Sequence, residues 1–225
     1  MSETPTSLRQ PAADHVAETL RQWILSGRLG EGEHIRQELI ARELGVSRLP
    51  VREALAVLEA EGLVRREQYK GTIVCEVSPQ EAAETYEIRE LLEVHLFSLS
   101  LPHLDESHLR TAETLVHLSE SCDEDDHERW AQLNRDFHRA LYEAAGRPLT
   151  LQTLEHVFRR TERYFRLQQR MSTSVKRKSA REHLEIVNAI RAGDRARAEH
   201  ALREHITSNG RDLTTTIANK RSRKP

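Results

Sequence analysis

Apolar residues recur at helical spacing along most of the chain. Between about Ala12 and Ser26, Val16, Leu20, Trp23 and Ile24 share one helix face, and Gly27 follows as a stop. Leu29-Gly30-Glu31-Gly32 reads as a turn. A second helix is predicted from Ile35 to Leu44, with Leu39, Ile40 and Leu44 turned inward. Gly45-Val46 makes a short turn, and Ser47 is a good N-cap for a third helix because its hydroxyl can accept from an orphan N–H. Pro50 falls in that helix's first turn, where a missing N–H costs little. Val51, Leu55 and Leu58 then repeat at i, i+4, i+7, and Gly62 ends the run. Leu63-Val64 and Thr72-Ile73-Val74 are short apolar or β-branched runs on either side of Gln68-Tyr69-Lys70-Gly71, the pattern of a small hairpin. Two helices joined by a tight turn and followed by a hairpin make a winged helix-turn-helix.

After Val77-Ser78-Pro79 the pattern changes to helix almost without interruption. Helices are predicted over about 80–101, 105–121, 126–145, 149–169, 174–192 and 194–217, broken at Pro102, at the acidic stretch 122–126, at Gly146-Arg147-Pro148 and at Gly193-Asp194. The carboxylates of the acidic stretch need no partner, since they complement a helix N-terminus. The fold class is therefore mainly α: an N-terminal winged helix-turn-helix over residues 8–76, a linker at 77–80, and an all-α bundle over 81–217. The basic end, 218–225, reads as a disordered solubilising tail.

Composition agrees with this division. The 225 residues are 31% charged and only 4% aromatic, which suits a helical protein. No run approaches the roughly 20 apolar residues of a membrane span, and Met1 to Gln10 lacks the apolar core of a signal peptide. With Cys75 and Cys122 as the only cysteines, no disulfide framework is expected and a reducing cytoplasm is the natural setting. Charge changes the picture more. The net formal charge is −2, and residues 1–76 hold ten Arg and Lys against twelve Asp and Glu. A non-specific polyanion binder would carry a basic excess. DNA binding by the first domain must therefore rest on where individual arginines sit.

That placement is specific. The N-terminal residues of the second helix of a helix-turn-helix meet base edges in the major groove. Arg48 and Arg52, four apart, are neighbours along one flank of the Val51/Leu55/Leu58 stripe, and Arg is the usual bidentate reader of guanine. Ser47 and the amides at the helix start can reach phosphate. The segment GVSRLPVREAL (Gly45 to Leu55), followed by LEAEGLV (Leu58 to Val64) and GTIV (Gly71 to Val74), resembles the GntR family of bacterial regulators. The resemblance covers the first third of the chain. It implies a homodimer on a palindromic double-stranded operator, with DNA contacts from Ser47, Arg48, Pro50 and Arg52, from Lys70 and Gly71 at the wing, and from Arg36 on phosphate.

In the bundle, His138, His183 and His205 lie on apolar stripes of three different helices. Each taken singly fits an ordinary hydrogen-bonded core histidine. Together, three inward imidazoles can hold a divalent ion with an open position. The segment NRDFHRALYEAAG (Asn134 to Gly146), with Glu182-His183, Ile190, Gly193-Asp194 and His205, is similar to the FCD effector domain of the FadR branch of the GntR family. The resemblance implies a metal held by Asn134, His138, His183 and His205 below a pocket for a small carboxylate effector, with Zn the default and Ni or Mn as options. The first ligand position is often Asp in that family; Asn134 offers a weaker, neutral oxygen. Asp136 does not substitute for it, being on another face from His138. Arg89 is the candidate effector contact, since a guanidinium suits a carboxylate; the spacing equally allows an ion pair with Glu93 one turn on.

The expectation is a ligand-responsive regulator, more simply a repressor than an activator, and not an enzyme. Two alternatives stand beside it. Three histidines and an open metal can activate water, although no paired base or nucleophile motif accompanies them. An acyl-CoA-responsive regulator would not need the histidine set.

Overall fold

The computed structural model describes residues 9–68, 71–76, 78–123, 126–169 and 173–221. Lys70, expected at the wing, lies outside the described residues, as do 222–225 of the basic end. The chain divides into two compact units, Met1–Val77 and Ser78–Pro225.

The first unit runs α1 (Arg9–Ser26), β1 (His34–Ile35), α2 (Gln37–Glu43), α3 (Arg48–Ala60), β2 (Val64–Glu67) and β3 (Gly71–Val74). Val16, Leu20 and Ile24 of α1 share one core with Val51, Leu55 and Leu58 of α3 and with Val64 and Val74 of the sheet. Burying such side chains stabilises by about 1.5–3 kcal/mol each relative to exposure, an upper bound for a real unfolded chain. The expected hairpin is the larger part of a three-stranded antiparallel sheet of order β1-β3-β2. Val64 stands opposite Val74 across the hairpin, and Ile35 opposite Thr72 on the other side. Ile35 therefore belongs to a strand and not to the second helix, which starts two residues later at Gln37. Leu39 corrects a second expectation. It is 49% exposed, while Ile40 and Ala41 take the inward face of α2. The turn from α2 to α3 depends on Gly45, whose φ of 65° is left-handed and costs a side-chain-bearing residue energy.

The second unit is helical throughout: α4 (Pro79–Ser100), α5 (Glu106–Glu120), α6 (His127–Tyr142), α7 (Pro148–Gln169), α8 (Thr173–Arg191) and α9 (Arg195–Arg221), with short 3-10 turns at Leu101–His103 and Glu143–Ala145. α4 starts inside the expected linker. Ser78 caps it by accepting from the Glu81 amide at 3.3 Å, and Pro79 fills the first turn. Asp105 caps α5 in a capping box with His108. α4 packs along α9 and against α7, α9 packs along α8, and α5 bridges α6 and α8. Between α4 and α9 the absent side chain of Gly210 makes room for Tyr86. No helix among the described residues is long and apolar enough to cross a membrane.

Candidate functional sites

The exposed end of α3 carries the residues expected to meet DNA. Ser47 occupies the N-cap position in extended conformation, yet its side chain makes no capping hydrogen bond. Arg48 and Arg52 are both exposed and Pro50 is half-buried. Arg48 pairs with Glu38 of α2 at 2.5 Å, with both side chains more than 60% exposed. An ion pair in such surroundings contributes about 0–1 kcal/mol, so it is easily exchanged for a phosphate or a guanine edge. Arg36 is exposed at the N-cap of α2, and Gly71 opens β3.

Inside the second unit, sequence-distant residues meet. Asn134, His138 and Tyr142 are spaced four apart on α6 and so share one face. His183 comes from α8 and His205 from α9. The three histidines are buried, and a ligand nitrogen from each lies within 4.8 Å of the others. His183 Nε2 and His205 Nε2 are 3.2 Å apart. A tetrahedral ion with Zn–N bonds of about 2.0–2.1 Å would separate its nitrogens by about 3.3 Å. Phe137 stacks on the His183 ring at 3.9 Å and fixes its plane.

Hydrogen bonding sets which ring nitrogen is available. Tyr142 donates its hydroxyl proton to Glu93 Oε2 at 2.7 Å. His138 Nδ1 lies 3.1 Å from that Tyr142 oxygen and 3.2 Å from Glu93 Oε2, both acceptors toward it. The proton of His138 therefore sits on Nδ1, which leaves a lone pair on Nε2. That Nε2 is buried with no hydrogen-bond partner, and so is Asn134 Oδ1 one turn earlier. Glu182 Oε2 similarly accepts from His205 Nδ1–H at 2.7 Å, which leaves a lone pair on its Nε2. A buried polar atom without a partner is costly, and His138 Nε2 close to the nitrogens of His183 and His205, with Asn134 Oδ1 one turn earlier on the same helix face, makes a donor set suited to a divalent ion. Burial, and then the neighbouring imidazoles and Arg89, hold the His138 pKa well below the ordinary histidine value. Burial followed by His205 and Arg89 does the same for His183. Both rings are thereby kept in the neutral form that ligates metal.

Arg89 makes the ion pair that spacing allows: its Nε donates to Glu93 Oε1 at 2.7 Å, and both side chains are buried. The guanidinium lies between the rings of Tyr86, at 4.8 Å, and Phe158, at 4.5 Å. Burial opposes its charge, but Glu93 and Tyr86 more than offset that and raise its pKa. Glu93, Tyr142 and Glu182 are functional candidates that sequence reasoning passed over. Tyr142 carried a signal, being one turn beyond His138. Glu93 showed itself only as a possible partner of Arg89, and Glu182 only beside His183, because the histidines they orient lie on other helices.

Residues 84–208, more than half of the chain, match the family described as FCD domain, and residues 12–74 match the bacterial regulatory proteins of the gntR family. The chain belongs to the GntR family. This GntR-family protein is 30% identical over 208 residues to the HTH-type transcriptional regulator LutR of Bacillus subtilis, covering 82% of this chain and 93% of LutR. It is 29% identical over 200 residues to the probable D-xylose utilization operon transcriptional repressor of Paenarthrobacter nicotinovorans, covering 89% and 88% of the two chains. Among solved structures it is similar in fold to E. coli McbR/YncC, with a TM-score of 0.71 at 24% identity over 91% of this chain and 97% of that one. GntR-family proteins are DNA-binding transcriptional regulators, so the hydrolytic alternative is set aside. As a family member, the protein carries a GntR DNA-binding domain and an FCD domain whose three buried histidines can hold a metal.

Proposed function

We propose that this GntR-family protein is a metabolite-controlled repressor of the FadR branch that binds a palindromic operator as a homodimer. Ser47, Arg48, Pro50 and Arg52 would meet the DNA at the start of α3, with Arg36 on a phosphate and Lys70 and Gly71 at the wing. The observation that carries the sensing half is the meeting of three buried imidazoles, with His138 Nε2 partnerless close to the nitrogens of His183 and His205 and Asn134 Oδ1 partnerless one turn before His138. They would hold a divalent ion, with Zn²⁺ the best fit to a set rich in imidazole and Ni²⁺ or Mn²⁺ as alternatives. When bound, the ion supplies a Lewis-acidic position for an anionic effector. Around it, Glu93 and Glu182 orient His138 and His205, while Phe137 fixes the plane of His183. The Arg89 guanidinium, held at Nε by Glu93, would be the group that recognises a small carboxylate. Regulation requires that this effector bind the DNA-competent and DNA-incompetent states with different affinity.

Two measurements test the halves separately. In gel-shift titrations, Arg48→Ala and Arg52→Ala are expected to abolish operator binding while circular dichroism and dimer mass stay as in the parent. Unchanged operator affinity would defeat the assignment of α3. Metal analysis should show one ion per chain, lost in His138→Ala, His183→Ala and His205→Ala; full metal content in those variants would remove the metal site.

A further inference from the structure

The cluster's two orienting carboxylates stand in different surroundings. Glu93, behind His138, is fully buried. Glu182, behind His205, is 26% exposed and belongs to the wall of a groove between α8 and α9. The groove has a volume of about 560 Å³, and its lining includes Lys178, Glu182, Glu185, Ala201, Glu204 and His205. His205 is only 2% exposed yet contributes to this lining, whereas His138 and His183 do not. The groove thus reaches one imidazole of the cluster, and at that point stands the Glu182–His205 hydrogen bond of 2.7 Å. Lys178 sits 3.8 Å from the other oxygen of Glu182 and 2.6 Å from Asp212, so it tethers the outer side of that carboxylate. Glu185 is turned to Arg197 at 2.6 Å and Glu204 to Arg211 at 3.5 Å, whereas Glu182 is aimed at the cluster through His205.

We propose that the α8/α9 groove is the route by which the divalent ion reaches and leaves the histidine cluster, and that Glu182 is the positioning residue at its inner end. The proposal rests on the metal reading above and adds to it a path and a gate. A hydrated dication cannot cross the apolar packing behind Phe137 and Phe158 without losing its water shell uncompensated. In the groove, a carboxylate meets it where that shell is shed. Glu182 is part-exposed and held from outside by a single lysine, so it can release His205 Nδ1 and return to it. On its return it fixes the tautomer in which Nε2 of His205 presents its lone pair to the ion. Glu93, locked between Arg89, Tyr142 and His138, has no such freedom.

The test uses the full-length protein and Zn²⁺. Loading is followed by stopped flow, release by transfer to an excess of a chromophoric chelator, and affinity by chelator competition at equilibrium. Ala201→Trp fills the groove and replaces no proposed ligand; it is expected to slow loading and release by a common factor while leaving the affinity unchanged. Ala201→Leu, a smaller intrusion, should slow both less and serves if the larger side chain prevents folding. Glu182→Ala should weaken affinity by about 10–100-fold, mainly through faster release. Glu182→Gln, which keeps an acceptor for the Nδ1 proton, should recover part of that loss. Parental rates in both Ala201 variants would overturn the route, and parental affinity in Glu182→Ala would overturn the positioning role. A parent protein that holds no Zn²⁺ would remove the metal reading and the route with it, whereas normal metal content with unchanged rates removes the route alone.

Discussion

Replacing Gly210 by alanine sets two effects of known size against each other. Gly210 lies within α9, where helix propensity alone favours alanine by about 0.8–1.0 kcal/mol. A Cβ at that position, however, would stand 2.9 Å from both Cβ and Cγ of Tyr86 and 3.1 Å from its Cδ1. Carbon atoms pack best at about 3.5–4.0 Å, so the new methyl overlaps the root of the tyrosine by roughly 0.6 Å. The root of a side chain cannot swing aside as its tip can. Tyr86 is buried, with its ring against the Arg89 guanidinium. Relief therefore requires α9 to move off α4, and overpacking of this kind costs about 1–3 kcal/mol. The clash outweighs the propensity, and Gly210→Ala is expected to destabilise the protein by about 1 kcal/mol net. Urea unfolding of the metal-free protein reads this directly. The same displacement carries His205, five residues earlier on α9, away from His138 on α6. Shifts beyond about 0.5 Å degrade a preorganised site, so Zn²⁺ affinity should fall in the same variant. A Gly210→Ala protein stabilised by the full propensity gain would refute the close packing of α4 on α9.

Three further outcomes are expected. Glu93→Gln leaves the Arg89 charge buried without its carboxylate and should cost about 3–5 kcal/mol in denaturant unfolding; Arg89→Met added to Glu93→Gln removes the stranded charge and should recover part of it, and an unshifted midpoint in the single variant would contradict the buried pair. His138 and His183 have pKa values held down in the folded state, chiefly by burial, whereas in the unfolded chain they titrate near about 6.5. Below that pH the unfolded state takes up protons that the folded state refuses, so the unfolding free energy of the metal-free protein, read by urea titration, should fall by about 1.4 kcal/mol per pH unit for each histidine; above it they add no slope, and a flat acid limb would count against neutral buried rings. Asn134→Asp replaces a neutral oxygen by a charged one and should tighten Zn²⁺ binding by about tenfold or more, the scale on which even outer-shell groups act; equal affinity would place Asn134 outside the coordination shell.

The parts of this molecule that were legible in the sequence are those set by local periodicity. Val51, Leu55 and Leu58 announced α3, and His138, His183 and His205 stood out as polar residues on apolar stripes. Strand β1 was not legible, because two residues are too few to show an alternation; Ile35 reads equally well as the start of a helix until Thr72 appears opposite it. Leu39 misled for a related reason. A short helix of seven residues buries a narrow stripe, and Ile40 with Ala41 already fills it. Arg89 and Glu93 were recognisable as a possible pair at i, i+4. Their burial, and the reach of Glu93 across to α6, depend on how helices far apart in sequence pack. The convergence of the three imidazoles depends on the same packing, and so does the role of Glu182.

The chain of contacts from Arg89 through Glu93 and Tyr142 to His138 Nδ1 has a thermodynamic consequence. One carboxylate serves both a guanidinium and an imidazole, so the two cannot be perturbed independently. An anion that draws Arg89 away from Glu93 changes the acceptor strength felt at His138 Nδ1, and with it the basicity of the nitrogen on the far side of the ring. Occupancy at His138 Nε2 in turn alters how firmly Glu93 holds the arginine. The two affinities are then linked quantities: whatever factor one ligand imposes on the other must be returned in equal measure. Metal availability would accordingly set the concentration at which an effector is sensed.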